Sequence, residues 1–536
     1  MLLRAWLTLR VHADAFRSDP LVYLQAVAWR LRGLRVRSRN RIAPLAGGSP
    51  HAYALWMAKN ELLAPRPEKR EWPNPPSIVP IIDCRSGGDA LVTLESLAKA
   101  GGDAQPILLG GPRGPAYRSV QQPHELNSFL PSGGSWICPL EAGDQLAPGA
   151  FDAYASLIGD AAGGVVYADD DLIDFDGRRF APHFKPKWNS DLFRYHDFIT
   201  GSSVIFALPD QIASLHEGQW PGEIIRLGLQ HGSPPIHLPL MLHHRRSRPM
   251  PSVPARPVEP VRDAPVVTAI IPTRNQAALL RNCIYGVKNC DYPKVDLLVV
   301  DNGSDDADAL AYLSQVETEG TKILRRPGPF NFSALNNEAV NHASGSMLCF
   351  LNNDVEMTDR SWLWPLVRQA LRSDVGAVGP MLLYPDRTIQ HAGVYLGIGG
   401  GAGHAHRFLA ENEPGYFERA RLPQFVSAVT AACMVLSRDR FLAVGGFDEE
   451  IFPVAFNDVD LCLKLNERGW QSYYEPRARL VHHESKSRGL DSAKSNRTRF
   501  AGELAALKAK WHTDRNCDPF HHPQLSPYSE QFVVAI

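Results

Sequence analysis

The sequence predicts an α/β protein made of two sheet units in tandem, each mostly parallel, preceded by a helical segment. Three observations predict this. Apolar runs of strand length alternate with helical stretches, which favours parallel strands joined by crossover helices. The alternation occurs twice, separated by a proline-rich break. Finally, 536 residues are too many for one core.

Composition narrows the function classes. The chain is 44% hydrophobic and 21% charged, as ordinary globular proteins are. Lysine plus arginine (56) balance aspartate plus glutamate (57), so no global field favours nucleic acid. The eight cysteines include no Cys-x-x-Cys pair, Cys283 and Cys290 being the closest. That argues against a zinc site or disulfide scaffold and fits a reducing cytoplasm. No apolar run approaches the roughly 20 residues of a membrane span. The expectation is a cytoplasmic protein, peripheral at the inner face of the membrane if its basic N-terminus binds there.

Residues 1–75 read as a basic helical segment, with Arg30, Arg32, Arg35, Arg37, Arg39 and Arg41 close together. Such a segment lies on an anionic membrane or packs as a solvated helix face. The cluster Trp72-Pro-Asn-Pro-Pro76 breaks it. The first α/β unit spans 76–248, with strands expected at 78–82, 106–109, 136–140 and 165–167. Residues 249–265, with six prolines, read as a linker. The second unit spans 266–515: strands at 267–271 and 295–300, helices at 277–288 and 333–342, and a strand at 347–351 that ends in Asn352, Asn353 and Asp354. Residues 516–536 form a tail. The glycine cluster at 397–403 comes too late for a dinucleotide fingerprint and reads as a mobile loop.

The two units can be laid over each other. Ile81-Ile-Asp-Cys-Arg85 matches Ile270-Ile-Pro-Thr-Arg274, and Leu108-Leu-Gly-Gly111 matches Val299-Val-Asp-Asn302. Residues 136–140 match 347–351, and 223–232 match 460–469. Both units close on a histidine pair, His243-His244 and His482-His483. The common order of these weak matches reads as a duplicated fold. Where the second unit has Asp301, Asp354 and Asp458, the first has Gly110, Gly143 and Pro221, none of which carries a side-chain ligand or base. The first unit is expected to have kept its sheet and lost its chemistry.

The polar strand ends of the second unit are the candidate site, since ligands of open α/β sheets sit beyond the carboxyl ends of the strands. Asp301 is placed to bond a ribose or base, or to cap a turn. Asp354 suits a hard divalent cation carrying phosphate, or a helix N-cap. Asp458, within Asn457-Asp-Val-Asp460 ahead of an apolar helix, is a general base on a rigid support, or again a cap. His482 offers a neutral metal ligand or a structural histidine.

Residues from about 266 to 490 resemble glycosyltransferase family 2, with the GT-A fold. The resemblance is carried by Ile270-Ile-Pro-Thr-Arg-Asn275, Val299-Val-Asp-Asn-Gly-Ser304, Asn331-Phe-Ser333 with Asn337, and Phe350-Leu-Asn-Asn-Asp354. It continues in Val444-Gly-Gly-Phe-Asp-Glu449, Asn457-Asp-Val-Asp-Leu-Cys-Leu463 and Val481-His-His-Glu-Ser485. The first unit is similar more weakly, at Tyr167-Ala-Asp-Asp-Asp171 and Phe184-Lys-Pro-Lys-Trp188.

The resemblance implies an inverting hexosyl- or deoxyhexosyltransferase. It would use a nucleotide-diphosphate sugar, a saccharide or lipid-linked saccharide acceptor, and a divalent metal, Mg or Mn, in cell-surface polysaccharide assembly. By similarity, Thr273, Arg274, Asp301, Asn302, Asn337, Asn352 and Asn353 would bind the donor. Asp354 and His482 would hold the metal, Asp458 would be the base, and Phe447, Asp448 and Glu449 would border the acceptor. Asn352 stands where the family often has aspartate and Asn457 where it often has glutamate; Asn352 removes one negative charge from the metal's surroundings, which weakens the expected hold on metal. Two other readings are a non-catalytic saccharide- or nucleotide-sugar-binding scaffold and a nucleotidyltransferase, which would release pyrophosphate.

Overall fold

The computed structural model describes residues 2–61, 76–115, 117–158, 164–216, 220–230, 233–256, 258–483, 497–515 and 518–536. Most of the Trp72–Pro76 break, Pro257 of the linker and Glu484-Ser485 of the last motif lie outside them. The basic N-terminal segment folds as four helices, α1 (Leu2–Ser18), α2 (Pro20–Leu31), α3 (Arg35–Gly47) and α4 (Ala52–Asn60). Leu7, Val11 and Ala15, spaced four apart on α1, are buried with Leu55 and Ala58 of α4. Pro20 and the Asp19 carboxylate, which accepts from Val22 N at 3.0 Å, start α2. Among the described residues no helix is long and apolar enough to cross a membrane.

The first sheet has nine strands: β1 (Ile78–Asp83), β2 (Ile107–Leu109), β3 (Arg118–Val120), β4 (Ser135–Glu141), β5 (Gln145–Leu146), β6 (Val165–Ile173), β7 (Arg179–His183), β8 (Ser203–Ala207) and β9 (Ile236–Arg245). The second unit supplies β10 (Val267–Thr273), β11 (Val295–Asp301), β12 (Lys322–Arg325), β13 (Met347–Leu351), β14 (Val355–Met357), β15 (Val375–Leu383), β16 (Ile389–His391), β17 (Val394–Leu396), β18 (Ala402–His404), β19 (Gln424–Val426), β20 (Cys433–Ser437) and β21 (Gln471–His482). The order of the first is β3-β2-β1-β4-β8-β6-β9-β5, and of the second β12-β11-β10-β13-β20-β15-β21-β14. Position for position the two orders are the same. Both are mixed rather than parallel throughout, because β8 and β20 run antiparallel to their neighbours.

The register agrees too. Ile81 pairs Ile107 and Pro139, while Ile270 pairs Leu298 and Phe350, which are the residues the sequence overlay makes equivalent. One match shifts. His244 pairs Gln145, whereas Val481 pairs Glu356, the residue equivalent to Gln145. Arg245 therefore stands where His482 stands, and the two histidine pairs are two residues out of step. Register breaks on both β6–β9 and β15–β21 put the pairs beyond a simple overlay.

The units share a core. Tyr53, Trp56, Phe184 and Met241 pack into the same apolar cluster as β10, β13 and β15. Arg372 grips Asp191 of the first unit through two bonds of 2.8 Å. The C-terminal tail adds Phe520, Leu525 and Phe532 to this cluster. Among its described residues the 249–265 stretch has neither helix nor strand, and it is docked: Ser252 N donates to Tyr195 O, and Pro265 O accepts from Tyr292 Oη. The glycine cluster, expected as a mobile loop, is the turn between paired strands β17 and β18, with Gly397, Gly399 and Gly400 at positive φ. A side chain at Gly401 would strike Leu504.

Candidate active site

Strand β13 is buried along its whole length between β10 and β20, so its carboxyl end is a fixed platform. The turn Asn352–Asp354 leads into β14 rather than a helix, which removes the N-cap reading of Asp354. Strand β21 pairs Val355 with His482 and thereby brings His482 to the turn. Asp354 Oδ1 lies 3.1 Å from His482 Nε2, is buried, and has no other hydrogen-bonding partner. On the far side of the ring, His482 Nδ1 meets Gln390 Oε1 at 2.8 Å. An amide oxygen only accepts, so Nδ1 carries a proton and the ring is oriented with Nε2 toward the carboxylate. The Asn352 amide, 3.3 Å from Nε2, completes the cluster. Burial raises the Asp354 carboxyl, but the adjacent His482 outweighs it, leaving the group below its ordinary value and ionised at neutral pH. A carboxylate oxygen and an imidazole nitrogen at one strand end are the donor types that bind a divalent cation.

Across the same cleft stands Asp458. The cleft encloses about 230 Å³ and is lined by Asn352, Gln390, His404, Asp458 and His482 among others. Asp458 lies inside the first turn of the helix Asn457–Glu467, whose N-cap is Phe456 in the left-handed region (φ 60°), so Asp458 does not cap it. Its Oδ2 accepts from Ala431 N at 3.1 Å and its Oδ1 from Val459 N at 2.9 Å. Burial nevertheless outweighs these bonds and pushes its carboxyl above the usual range, toward a stronger base. The helix Arg497–Trp511 holds this helix in place: Trp511 Nε1 donates to Asp460 Oδ1 at 2.8 Å, and Glu503 accepts from Val454 and Ala455 N.

The other predicted residues fall into two groups. Thr273, Asp301, Asn302 and Asn353 are buried at the ends of β10, β11 and β13. Asn353 Nδ2 donates to Thr273 Oγ1 at 3.0 Å, tying two strand ends together. Asp301 Oδ1 accepts from the Ser304 N and Oγ, so its turn-capping role is present. Arg274 is exposed, 3.9 Å from Asp305. The second group lies farther along the chain. Asn337 bonds the Phe447 backbone on both sides, with Oδ1 to N and Nδ2 to O both at 2.9 Å, and donates to Glu449 at 3.0 Å. In this structure it shapes the 446–449 loop. Phe447 is buried against Phe350 and Phe441, Asp448 caps a turn at Ile451 N, and Glu449 is exposed.

Sequence reasoning missed Gln390, His404 and Arg407, all in the cleft wall. His404 is driven down to about 3 by burial and stays neutral against His391. The only outward signal was the histidine enrichment on either side of the glycine cluster, which composition alone does not attach to a site. A second cluster, Asp169, His237 and His522, has metal-ligand geometry. Asp169 sits 2.9 Å from each histidine Nε2. However, Gln524 N donates to His522 Nδ1 at 3.0 Å, so the proton is on Nε2 and faces the carboxylate. That cluster is a hydrogen-bonded set tying the tail to the first sheet.

A carboxylate beside a histidine at a strand end thus faces a second carboxylate across one cleft. Residues 268–442 match the model described as "Glycosyl transferase family 2". The chain is 35% identical over 452 residues to "Uncharacterized protein y4gI" of Sinorhizobium fredii (strain NBRC 101917 / NGR234), covering 75% of this chain and 50% of that one. It is 34% identical over 442 residues to "O-antigen biosynthesis protein RfbC" of Myxococcus xanthus, covering 74% and 34%. Thus it spans half or less of the length of these curated relatives. Among solved structures it is similar to the mannosyltransferase PcManGT from Pyrobaculum calidifontis in complex with GDP-Man and Mn2+ (19% identity, TM-score 0.35, covering 47% of this chain and 67% of that one).

Proposed function

We propose that the second sheet carries an inverting glycosyltransferase, moving a hexosyl or deoxyhexosyl group from a nucleotide-diphosphate sugar to a saccharide or lipid-linked saccharide in cell-surface polysaccharide assembly. The observation that carries this reading is the convergence of Asn352, His482 and Asp458 on one cleft, with Asp354 behind His482. Inversion needs one base facing the anomeric carbon from the side opposite the leaving diphosphate, and Asp458 has the raised basicity for it. Asp458 takes the proton of the acceptor hydroxyl as that oxygen attacks, and the bond to the nucleoside diphosphate breaks. Thr273, Asp301 and Asn302 form the floor on which the nucleoside rests. Asp354 and His482 would hold a divalent ion, Mg or Mn, which supplies charge stabilisation to the departing diphosphate. Asn352 contributes no charge, so that ion would be held by one carboxylate and one imidazole, more weakly than by two carboxylates.

The first sheet is proposed as a structural copy of the same fold, within domains at 76–248 and 266–515. The name of the relative RfbC, "O-antigen biosynthesis protein", supports the polysaccharide setting. The arginine-rich helices support peripheral contact with the inner face of a membrane. The deciding experiment screens nucleotide sugars for hydrolysis with and without Mn2+. Metal-dependent release of nucleoside diphosphate is expected. Pyrophosphate release would point to nucleotidyl transfer, and no turnover with any donor would point to a scaffold.

A further inference from the structure

Beside the catalytic cleft lies a second, larger chamber of about 460 Å³, and the family-matched segment builds only part of it. Its remaining walls come from α2 and α3, from the helix Arg497–Trp511 and from the C-terminal residues 528–531. The two cavities share Ala402, Arg407 and Phe456 in their walls, and Phe456 is the strained residue just ahead of Asn457-Asp458. The chamber is therefore the immediate neighbour of the proposed base.

Its lining is divided by chemistry. Val22, Leu45, Ile398, Phe500 and Leu504 make one apolar lining, whereas Arg41 and Arg407 are its two cations, the Arg407 guanidinium donating to Tyr384 Oη, and Glu530 is its single acid. The helices forming the outer wall share this character. Residues 2–41 contain nine arginines, two aspartates and no other acid or lysine, in a chain with net charge −1. On α1, Leu2, Trp6, Leu9 and Phe16 form an exposed stripe opposite the buried Leu7–Val11–Ala15 stripe. On α2, Leu21, Leu24 and Leu31 form another, with Leu21 81% and Leu31 84% exposed. A helix pair that shows apolar side chains and arginines outward suits an anionic lipid surface.

We propose that this chamber binds the diphosphate head and first isoprenoid units of a lipid-linked acceptor, presenting the attached sugar to Asp458. The Arg41 guanidinium takes the diphosphate, and the aliphatic and phenyl side chains take the lipid as it arrives along the exposed face of α1 and α2. The proposal rests on the transfer reading for its purpose, yet its binding is measurable without turnover.

The test titrates the full chain with farnesyl diphosphate in EDTA, alongside inorganic pyrophosphate and farnesol. Saturable binding of farnesyl diphosphate is expected, at least about tenfold tighter than either half alone. Val22→Trp, which fills the chamber, and Arg41→Glu, which reverses a wall charge, should each weaken it about tenfold or more. Neither should change nucleoside diphosphate binding in Mn2+ or the far-ultraviolet circular dichroism. Equal affinity for pyrophosphate alone would reduce the chamber to an anion site, and equal affinity for farnesol to an apolar one. Either result overturns the proposal even if a variant fails to fold, and so does wild-type affinity in both folded variants. Loss of farnesyl diphosphate binding in the variants of a protein that hydrolyses no nucleotide sugar would support the chamber and sink the transfer reading instead.

Discussion

Replacing Asp458 with asparagine separates the base from every other part of the site. The side chain keeps its shape and one acceptor oxygen, but its new NH2 group must face one of the two backbone N–H groups, Ala431 or Val459, that the carboxylate now satisfies. An unsatisfied buried N–H costs about 1–3 kcal/mol. A second effect opposes it. Burial raises the Asp458 carboxyl above its unfolded value, so the stability it contributes is present below that value and is lost as pH rises through the folded one. At neutral pH the charge is a burden on the fold, and asparagine lifts it. The two effects offset, so the thermal midpoint should move by only a few degrees, about 2–4 °C per uncompensated kcal/mol. Turnover should fall about 10²- to 10⁴-fold, the contribution of a positioned base. The assay is nucleoside diphosphate release against acceptor concentration, with donor affinity measured by calorimetry. The wild-type rate should also decline on the acid side with an apparent pKa above the ordinary aspartate value, and that limb should vanish in the variant. A variant that binds donor normally and retains more than about a tenth of wild-type turnover would refute the assignment.

Three further outcomes are expected. Gln390→Leu removes the acceptor that holds the His482 Nδ1 proton, so the metal concentration needed for half-maximal donor hydrolysis should rise about 10- to 100-fold; an unchanged metal titration would show that Gln390 does not orient the ring. Asp169→Asn leaves His237 and His522 without their shared carboxylate and should destabilise the fold by about 1–3 kcal/mol. Those histidines hold the Asp169 carboxyl well below its ordinary value despite its burial, so its stabilisation is complete above about pH 4 and is lost as pH falls toward the folded value. Thermal midpoints of the wild type and the variant should therefore converge in acid, and parallel curves would contradict the pairing. Glu141→Ala, at the first-sheet position matching Asn352, should leave turnover within about twofold, as an exposed substitution outside the site does; loss of donor binding would assign chemistry to the first sheet.

The strand ends were legible because a buried run that stops at Asn-Asn-Asp has few uses. The register of β1 with β2 and β4 reproduces the overlay made from weak apolar matches. What sequence left open was decided by distant chain. Asp354 and Asp458 each looked like helix caps, and only the course of the backbone, a strand after one and a strained Phe456 before the other, separates cap from site. Gln390 reaches His482 because β16 lies on β15 beside β21, a pairing no local pattern announces. The histidine pairs misaligned because a bulge inserts residues without changing hydrophobic alternation on either side.

The misalignment bears on the first sheet. Arg245 occupies the place of His482, and Gly143 that of Asp354. Around them the first unit has built a closed set of charges: Lys185 Nζ lies 2.6 Å from Asp170 Oδ2, Arg245 lies 3.9 Å from it, and Arg248 pairs with Asp170 Oδ1. These cations hold the Asp170 carboxyl well below its ordinary value although it is fully buried. Three cationic side chains around one carboxylate leave no electrostatic room for a divalent ion, whereas in the second sheet the Asp354 carboxylate has only a histidine and an amide beside it. The same topology thus closes one strand edge with its own cations and leaves the other open for a cation from solution. That contrast, more than the missing aspartates alone, supports a division in which the first sheet braces the C-terminal tail and the second does the chemistry.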